Sequence, residues 1–410
     1  MSAPPAARSR RCPGRVAGVV RPPVPRAPFL FRKATGVAAM KVTVERAELL
    51  KSLAHVHRVV ERRNTIPILA NVLMRSDPRG LALRATDLDI EIVETIAAEV
   101  QEEGATTVPA HTIYDIVRKL PEGAQVQIET SGDRSTLTVR AGRSRFALQT
   151  LPENEFPDLA AGEMTHSFTL PAGELKRLVD KTQFAISTEE TRYYLNGIYL
   201  HVADAGGPVL RAVATDGHRL AQAQTTAPAG ASGMPGVIVP RKAVAEIQRL
   251  AENADAEVTV ELSAAKIRVS LDRVVLTSKL IDGTFPDYGR VIPVGNDKTL
   301  VVDKADFASA VDRVSTVASE RGRAVKLSIA DGKLTLSVTN PDSGSATEEI
   351  EVEYAAEAID IGFNSRYLLD ITSQIEGSTA ELKLADPGSP TLVQDPDKRG
   401  ALYVLMPMRV

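Results

Sequence analysis

Cysteine is almost absent: Cys12 is the only one in 410 residues. That excludes an internal disulfide framework and a cysteine-built zinc site. Tryptophan is missing and aromatics make up 4%, so dense base stacking on single-stranded nucleic acid is not expected. No apolar run reaches the ~18 residues of a membrane-spanning helix. There is no Gly-x4-Gly-Lys-Ser/Thr phosphate loop and no Gly-x-Ser-x-Gly elbow, so neither ATP hydrolysis nor serine-elbow chemistry is expected. What remains is 43% hydrophobic and 25% charged, with a net charge of −3. This is the balance of a globular chain, long enough for two to four domains.

The first 39 residues differ from the rest. They hold seven Arg, one Lys and seven Pro, with no Asp or Glu. Such a segment cannot build a core and is expected to be a disordered, dispensable extension. A start placed ahead of Met40 and an Arg-rich transit peptide both fit this composition. Without the extension, residues 40–410 carry 41 basic against 52 acidic side chains.

That body is one unit written three times. A strand feeding an amphipathic helix occurs at Val42-Thr43-Val44-Glu45, Phe168-Thr169-Leu170-Pro171 and Leu300-Val301-Val302-Asp303. The helices carry the stripes Leu49, Leu53, Val56, Val60, then Leu175, Leu178, Val179, Thr182, then Phe307, Val311, Val314, Ala318, at the helical spacing. A small tripeptide follows a strand at Ala85-Thr86-Asp87, Ala214-Thr215-Asp216 and Val338-Thr339-Asn340. Strands run into second helices at Val108-Pro109-Ala110, Val239-Pro240-Arg241 and Gly362-Phe363-Asn364. Phe156-Pro157-Asp158 and Phe285-Pro286-Asp287 close the first two copies. Each copy therefore holds two helices and about eight strands of period two, an α+β fold with helices on antiparallel sheets. The expected domains are 40–165, 166–296 and 297–410.

The predicted helices are 45–60, 110–119, 171–181, 240–250, 303–314 and 364–375. Together they carry a net +4 on a body of −11. A basic helix layer on an acidic body suits contact with a phosphate backbone, without reading bases. Charged surface helices are also common in proteins that bind no nucleic acid.

The rival class is a metal-dependent nuclease or phosphatase. Asp87, Asp89 and Glu91 would share a strand face, and Thr215-Asp216-Gly217-His218 pairs a carboxylate with an imidazole. The corresponding place in the third copy reads Asn340-Pro341-Asp342, so the copies preserve no constellation. The six His are scattered, and His55 and His57, two apart on a helix, point different ways. The expectation is a non-catalytic protein with no cofactor.

Several motifs run in one order along 40–410: Arg192-Tyr193-Tyr194-Leu195-Asn196-Gly197, Ala214-Thr215-Asp216-Gly217-His218-Arg219-Leu220, Val239-Pro240-Arg241-Lys242, Phe285-Pro286-Asp287-Tyr288, Gly362-Phe363-Asn364 and Tyr403-Val404-Leu405-Met406-Pro407-Met408-Arg409-Val410. By these the body resembles the β-subunit family of bacterial DNA polymerase III, the sliding clamps. The resemblance implies a cytoplasmic, nucleoid-associated, head-to-tail homodimeric ring of six similar domains. Twelve helices would line the ring around duplex DNA, and an ATP-driven loader would open it. It would tether the DNA polymerase III α subunit and so act as a processivity factor.

The resemblance also implies a cleft between the second and third copies. It would bind Gln- and Leu-rich peptides of polymerases, the clamp loader, translesion polymerases and repair proteins. The matching positions are Leu195, Thr215, Gly217, His218, Arg219, Leu220, Pro286, Arg290, Val291, Asn364, Tyr367, Pro390, Val404, Leu405, Met406, Pro407, Met408 and Arg409, with Arg219 read as a polar guide at the mouth. Taken alone, Val404-Leu405-Met406 also suits an edge strand in a core. For DNA the matching positions are Arg63, Tyr193, Tyr194, Arg241 and Lys242. Arg63 and Lys242 are expected on phosphate and the two Tyr against sugar or bases. The Tyr193–Leu195 run also reads as a half-buried strand. Gly322 and Glu189 depart from the family pattern, at one wall of the cleft and beside the DNA positions.

Overall fold

The computed structural model describes residues 39–159, 162–252, 255–319, 322–398 and 400–410. All but the last residue of the N-terminal extension lies outside them. The first repeat runs β1 (Lys41–Glu45), α1 (Arg46–Val56), β2 (Asn71–Asp77), β3 (Gly80–Thr86), β4 (Ile90–Ile96), β5 (Glu99–Glu102), β6 (Gly104–Pro109), α2 (Ala110–Lys119), β7 (Gln125–Thr130), β8 (Thr136–Ala141) and β9 (Ser144–Gln149). The second runs β10 (His166–Pro171), α3 (Ala172–Asp180), β11 (Gly197–Asp204), β12 (Pro208–Thr215), β13 (Arg219–Thr226), β14 (Val237–Pro240), α4 (Arg241–Leu250), β15 (Glu257–Leu262), β16 (Lys266–Leu271) and β17 (Val274–Lys279). The third runs β18 (Lys298–Asp303), α5 (Lys304–Ser315), β19 (Ala324–Ala330), β20 (Lys333–Asn340), β21 (Gly344–Glu351), β22 (Ile359–Asn364), α6 (Ser365–Thr372), β23 (Thr379–Leu384), β24 (Thr391–Gln394) and β25 (Ala401–Leu405).

The chemistry at each strand end explains why helices begin where they do. Glu45 and Asp303 turn their carboxylates back onto the first free helix N–H groups, at 2.9 and 3.1 Å and at 2.8 and 2.9 Å. The Asn364 amide oxygen does the same for α6. Helices α2, α3 and α4 each follow a proline, whose ring fixes φ between −55° and −61°.

Helix α1 stops at Val56, short of the expected 60, and the His57 ring closes its last turn: Nδ1 donates to Leu53 O at 2.7 Å. Val60 is still buried, but from the loop that follows. Thr182 and Ala318 likewise lie just past α3 and α5. Thr182 Oγ1 donates to Leu178 O at 2.7 Å, capping that end.

The helices pack in pairs, α1 with α2, α3 with α4 and α5 with α6, each pair on strands of two sheets. The sheets do not respect the repeats. One eight-stranded sheet, β10-β15-β16-β17-β4-β3-β2-β6, joins the first repeat to the second through β4 and β17. Another, β14-β11-β12-β13-β25-β24-β23-β18, joins the second to the third through β13 and β25. The smaller sheets, β5-β1-β7-β8-β9 and β21-β20-β19-β22, end on β9 and β21. Both junctions are thus closed by main-chain hydrogen bonds as well as side-chain packing. No helix among the described residues is long and apolar enough to cross a membrane.

Candidate functional site

The turn Thr215–Arg219 sets the geometry of the second junction. Thr215 Oγ1 donates to Arg219 O (2.7 Å) and accepts from Gly217 N (3.1 Å). Asp216 Oδ1 accepts from His218 N and Arg219 N at 2.9 and 3.0 Å. The chain reverses through Gly217 at φ +87°, a left-handed conformation that favours glycine. This turn starts β13, which pairs Leu220 with Val404 and Arg219 with Leu405. The expectation of an edge strand at Val404–Met406 is corrected here. β25 lies inside the sheet between β13 and β24, and Met406 is beyond its end.

Leu195, Leu220 and Val404 meet in an apolar cluster separate from the main core. Val213, Ile238 and Phe285 complete it, with Tyr199, Tyr288, Ile281 and Ile292 packed around. Sequence reading missed these partners, although Val213 sits in the alternation of β12 and Phe285 heads a recognised marker. Outside the cluster Pro286, Arg290 and Val291 are exposed, and Arg290 Nε donates to Asp287 at 2.8 Å. Pro390 is half-buried, and its carbonyl accepts from Asn296 Nδ2 at 2.9 Å.

The last residues cross the junction. Met406 N donates to His218 O at 2.9 Å and Met408 N to Gly362 O at 2.8 Å. Gly362 is required there: a Cβ would lie 2.4 Å from Val410 Cγ1 and 2.7 Å from Met408 O. Met406 is exposed, Pro407 and Met408 half-buried, and Arg409 exposed. Asn364 accepts from Arg366 N at 3.0 Å and Tyr367 N at 3.4 Å, placing Tyr367 with its ring centroid 6.5 Å from that of His218. Gly322 faces this corner through its carbonyl, 3.5 Å from Asn364 Nδ2.

Arg219 lines a cleft with His218 and Tyr367, held in its wall and not free at its mouth. It is buried, with its guanidinium paired to Asp216 (3.1 Å) and to Asp370 of α6 (2.5 Å), and donating to Phe184 O (2.7 Å). Tyr367 and Phe184 lie 4.3 and 5.1 Å from its central carbon. It therefore ties the second repeat to the third at the cleft wall. A second tie runs from Lys181, past α3, to Glu376 at 2.8 Å, and Lys398 reaches the same carboxylate at 2.5 Å.

Hydrogen bonds from these two ammonium groups lower the Glu376 pKa from 4.5 to about 2. Its contribution to stability is therefore complete above pH 4.5 and is lost as pH falls through about 2. Glu376→Gln should flatten acid unfolding across that window, measured as urea midpoints against pH. Solvent screening at this half-exposed site keeps the effect modest.

The five DNA positions stand on three segments: the loop after α1, the turn before β11 and the start of α4. Arg63 is exposed in the loop after α1. Tyr193 is exposed and Tyr194 half-buried, with ring centroids 5.8 Å apart. They stand on a 3-10 turn, Glu190–Leu195, and the strand reading is corrected. Arg241 holds the neighbouring backbone, donating to Ser187 O (2.7 Å) and Ile186 O (3.2 Å). Lys242 reaches back to the first repeat, where Nζ meets Asp87, Glu61 at 3.5 Å and Val59 O at 3.2 Å. Glu189 is paired with Arg192 at 3.2 Å. A cleft of about 620 Å³ brings Arg241 and Glu189 together with His218, Arg366 and Tyr367.

The carboxylates of the rival reading do not converge. Asp87 and Asp89 lie in the turn before β4, not on a strand face, and bind Lys242 and Lys279. Glu91 binds Arg84. His55 pairs with Glu94 at 2.8 Å, and the His57 ring stacks on Tyr114 at 3.9 Å. Among the described residues no group of three His, Cys, Asp or Glu side chains is placed to hold a metal ion.

Three sequence profiles match in order: DNA polymerase III beta subunit, N-terminal domain over residues 40–160, central domain over 169–287 and C-terminal domain over 289–409. The beta sliding clamp of Caulobacter vibrioides (strain NA1000 / CB15N) is 55% identical over 372 residues, 90% of this chain and 100% of the relative. That of Escherichia coli (strain K12) is 40% identical over 374 residues, with the same coverage. A crystal structure of a sliding clamp from Bartonella birtlesii bound to griselimycin superposes with a TM-score of 0.89 at 54% identity, covering 91% of this chain and 100% of that one. Sheets shared across tandem repeats, with paired helices on them, are thus the architecture of a DNA sliding clamp. The chain belongs to the DNA polymerase III beta subunit family.

Proposed function

We propose that two copies of this chain close head to tail into a ring around duplex DNA, which holds the replicative polymerase on its template without itself catalysing a reaction. The observation that carries this is the pair of edge strands β9 and β21, each paired on one side only. Strand β9 follows β8 as β17 follows β16, and β21 follows β20 as β4 follows β3. Since β17 joins β4 inside the chain, β9 of one copy meeting β21 of another repeats a junction already built twice. A contact between two different surfaces closes into a ring once curvature allows. Closure at two copies follows the family resemblance.

The test is retention. The protein is loaded on nicked circular DNA and washed at high salt, and the DNA is then cut. A ring stays through the wash and leaves when ends are made; a backbone binder leaves at the wash.

The helices supply a sequence-blind contact with phosphate. Arg63→Glu should reduce loading and lower the slope of log K against log salt by about 0.9, the value for one phosphate contact. Lys242 is left alone, since its reversal would set a third carboxylate beside Asp87 and Glu61. A nuclease or phosphatase assay with Mg²⁺ or Mn²⁺ tests the rival class, and turnover lost in Asp87→Asn would support it.

The second junction then serves as the peptide cleft. Leu195, Leu220 and Val404 form apolar walls, while exposed Met406 and Val291 flank them. Flexible Met suits varied partners. Two or three anchored side chains give roughly micromolar affinity, ~−8 kcal/mol, which lets the polymerase α subunit, loader, translesion polymerases and repair proteins exchange. Deleting Met406–Val410 should weaken a labelled Gln- and Leu-rich peptide at least tenfold in fluorescence polarisation. Unchanged affinity in a folded dimer would place the partner site elsewhere.

A further inference from the structure

The two internal junctions are built from the same parts. At the first, Leu88 N donates to Thr86 Oγ1 at 3.0 Å, and Asp89 N and Ile90 N donate to Asp87 Oδ1 at 2.9 and 2.8 Å. This repeats the Thr215–Arg219 turn bond for bond, and Leu88 takes φ +81° where Gly217 takes +87°. Lys279 N donates to Asp89 O at 2.8 Å, as Met406 N donates to His218 O. The strand registers then match every wall of the apolar cluster to a counterpart. Leu195 and Phe285 correspond to Leu69 and Phe156, which are also apolar. Val213, Leu220, Ile238 and Val404 correspond to Arg84, Glu91, Thr107 and Thr277.

Arg84 and Glu91 are 5% and 8% exposed. Arg84 Nη2 lies 2.6 Å from Glu91 Oε2 and 2.5 Å from Asp158 Oδ1, with the guanidinium 5.8 Å from the centre of the Phe156 ring. An ion-pair cluster thus fills the place that the second junction lines with Val and Leu.

We propose that the Arg84–Glu91–Asp158 cluster withholds the first junction from linear peptides and leaves one peptide cleft per chain. This rests on the peptide-cleft reading above. The turn bonds and strand registers match at both places, so the proposed difference lies in side chains. An apolar anchor entering the first junction must part a buried guanidinium from its carboxylate, and either charge left unpaired is heavily penalised. At the second junction the same anchor meets only apolar walls. The exposed Lys279–Asp89 pair at 3.0 Å adds charge at the rim, where the second junction has Met406 and His218.

The experiment exchanges the two sets of side chains. Replacing a whole buried ion pair by apolar residues is commonly neutral or stabilising, so Arg84→Val, Glu91→Leu and Thr277→Val in one protein should leave a folded ring; Thr107 is kept, since its hydroxyl holds the buried Asn71 amide at 2.9 Å. A labelled Gln- and Leu-rich peptide is titrated by calorimetry against both proteins. The expected stoichiometry is one per chain for the parent and two for the variant, with the original site within about threefold of its affinity. One per chain in a folded variant overturns the proposal.

The reciprocal protein carries Val213→Arg and Leu220→Glu, with Asp287 already standing where Asp158 stands. It should lose affinity at least about 30-fold while remaining a folded dimer. Retained binding there overturns the proposal too, and decides the matter if the threefold variant fails to fold. A parent that binds no peptide at all would count against the cleft reading, and is thereby distinguished.

Discussion

Exchanging Arg143 and Arg145 for glutamate should convert the proposed dimer into monomers of 44.0 kDa while leaving the fold intact. Both side chains are exposed at the start of β9, the free edge of the first repeat. The free edge of the third repeat, β21, carries Glu348, Glu349 and Glu351. An unpaired strand edge is a template for another strand, and charge decides which strand it accepts. A basic edge on one end of the chain and an acidic edge on the other select head-to-tail pairing and oppose like ends. Reversing the basic edge sets acid against acid at both contacts of the ring. Like-charge juxtaposition at an interface costs several kcal/mol, so the dissociation constant should rise at least about 100-fold, or ~2.7 kcal/mol. Sedimentation equilibrium at micromolar protein reads this directly. Adding Glu349→Arg and Glu351→Arg to the same chain should restore the dimer, because the charges are then exchanged and not lost. A charge-reversed protein that stays dimeric at low and high salt would remove the β9–β21 contact from the proposal.

The stripes of Leu49 and Leu53, of Leu175 and Leu178, and of Phe307 and Val311 were legible because a helix buries one face and the spacing records it. The Thr215–Arg219 turn was legible because its threefold recurrence marks a structural need. Arg84 was not. In Leu81-Ala82-Leu83-Arg84-Ala85-Thr86 it reads as the outward member of an alternating strand, yet every residue of β3 is buried. The sheet continues into the next repeat and both faces are covered at β3, which no local period records. Tyr193 and Tyr194 have strand propensity, but Ser187 N bonds to Leu195 O and Arg241 N to Asn196 O across long separations. Those contacts fold the segment into a 3-10 turn, a case of tertiary structure overriding local preference.

Arg219 shows the same limit most sharply, since its decisive partner, Asp370, lies in another repeat. Arg219→Ala should therefore act first on stability and only through it on peptide binding. The substitution removes a buried cation from Asp216, Asp370 and Phe184 O at once, and takes away the group packed against the Tyr367 and Phe184 rings. Breaking a buried pair from one side costs about 3–5 kcal/mol, chiefly because the remaining carboxylates lose their buried partner, although Asp370 keeps Arg366 at 4.0 Å. Asp370 is partly exposed and can recover some hydration, so the lower figure applies. For a cooperative unit of about 370 residues ~3 kcal/mol corresponds to a fall in Tm of roughly 4 °C.

Arg219→Lys should recover part of the loss, because an ammonium can meet one carboxylate but cannot span two and a carbonyl as the planar guanidinium does. Asp370→Asn, which keeps shape and removes charge, should loosen the second junction with less effect than Arg219→Ala. Hydrogen exchange localises the effect: amides of β13, β25 and α6 should lose protection in Arg219→Ala, while those of β4 and β17 at the first junction keep theirs. If instead Tm and exchange are unchanged and only peptide affinity falls, Arg219 acts as a recognition group and the buried tie between the second and third repeats contributes nothing to their union.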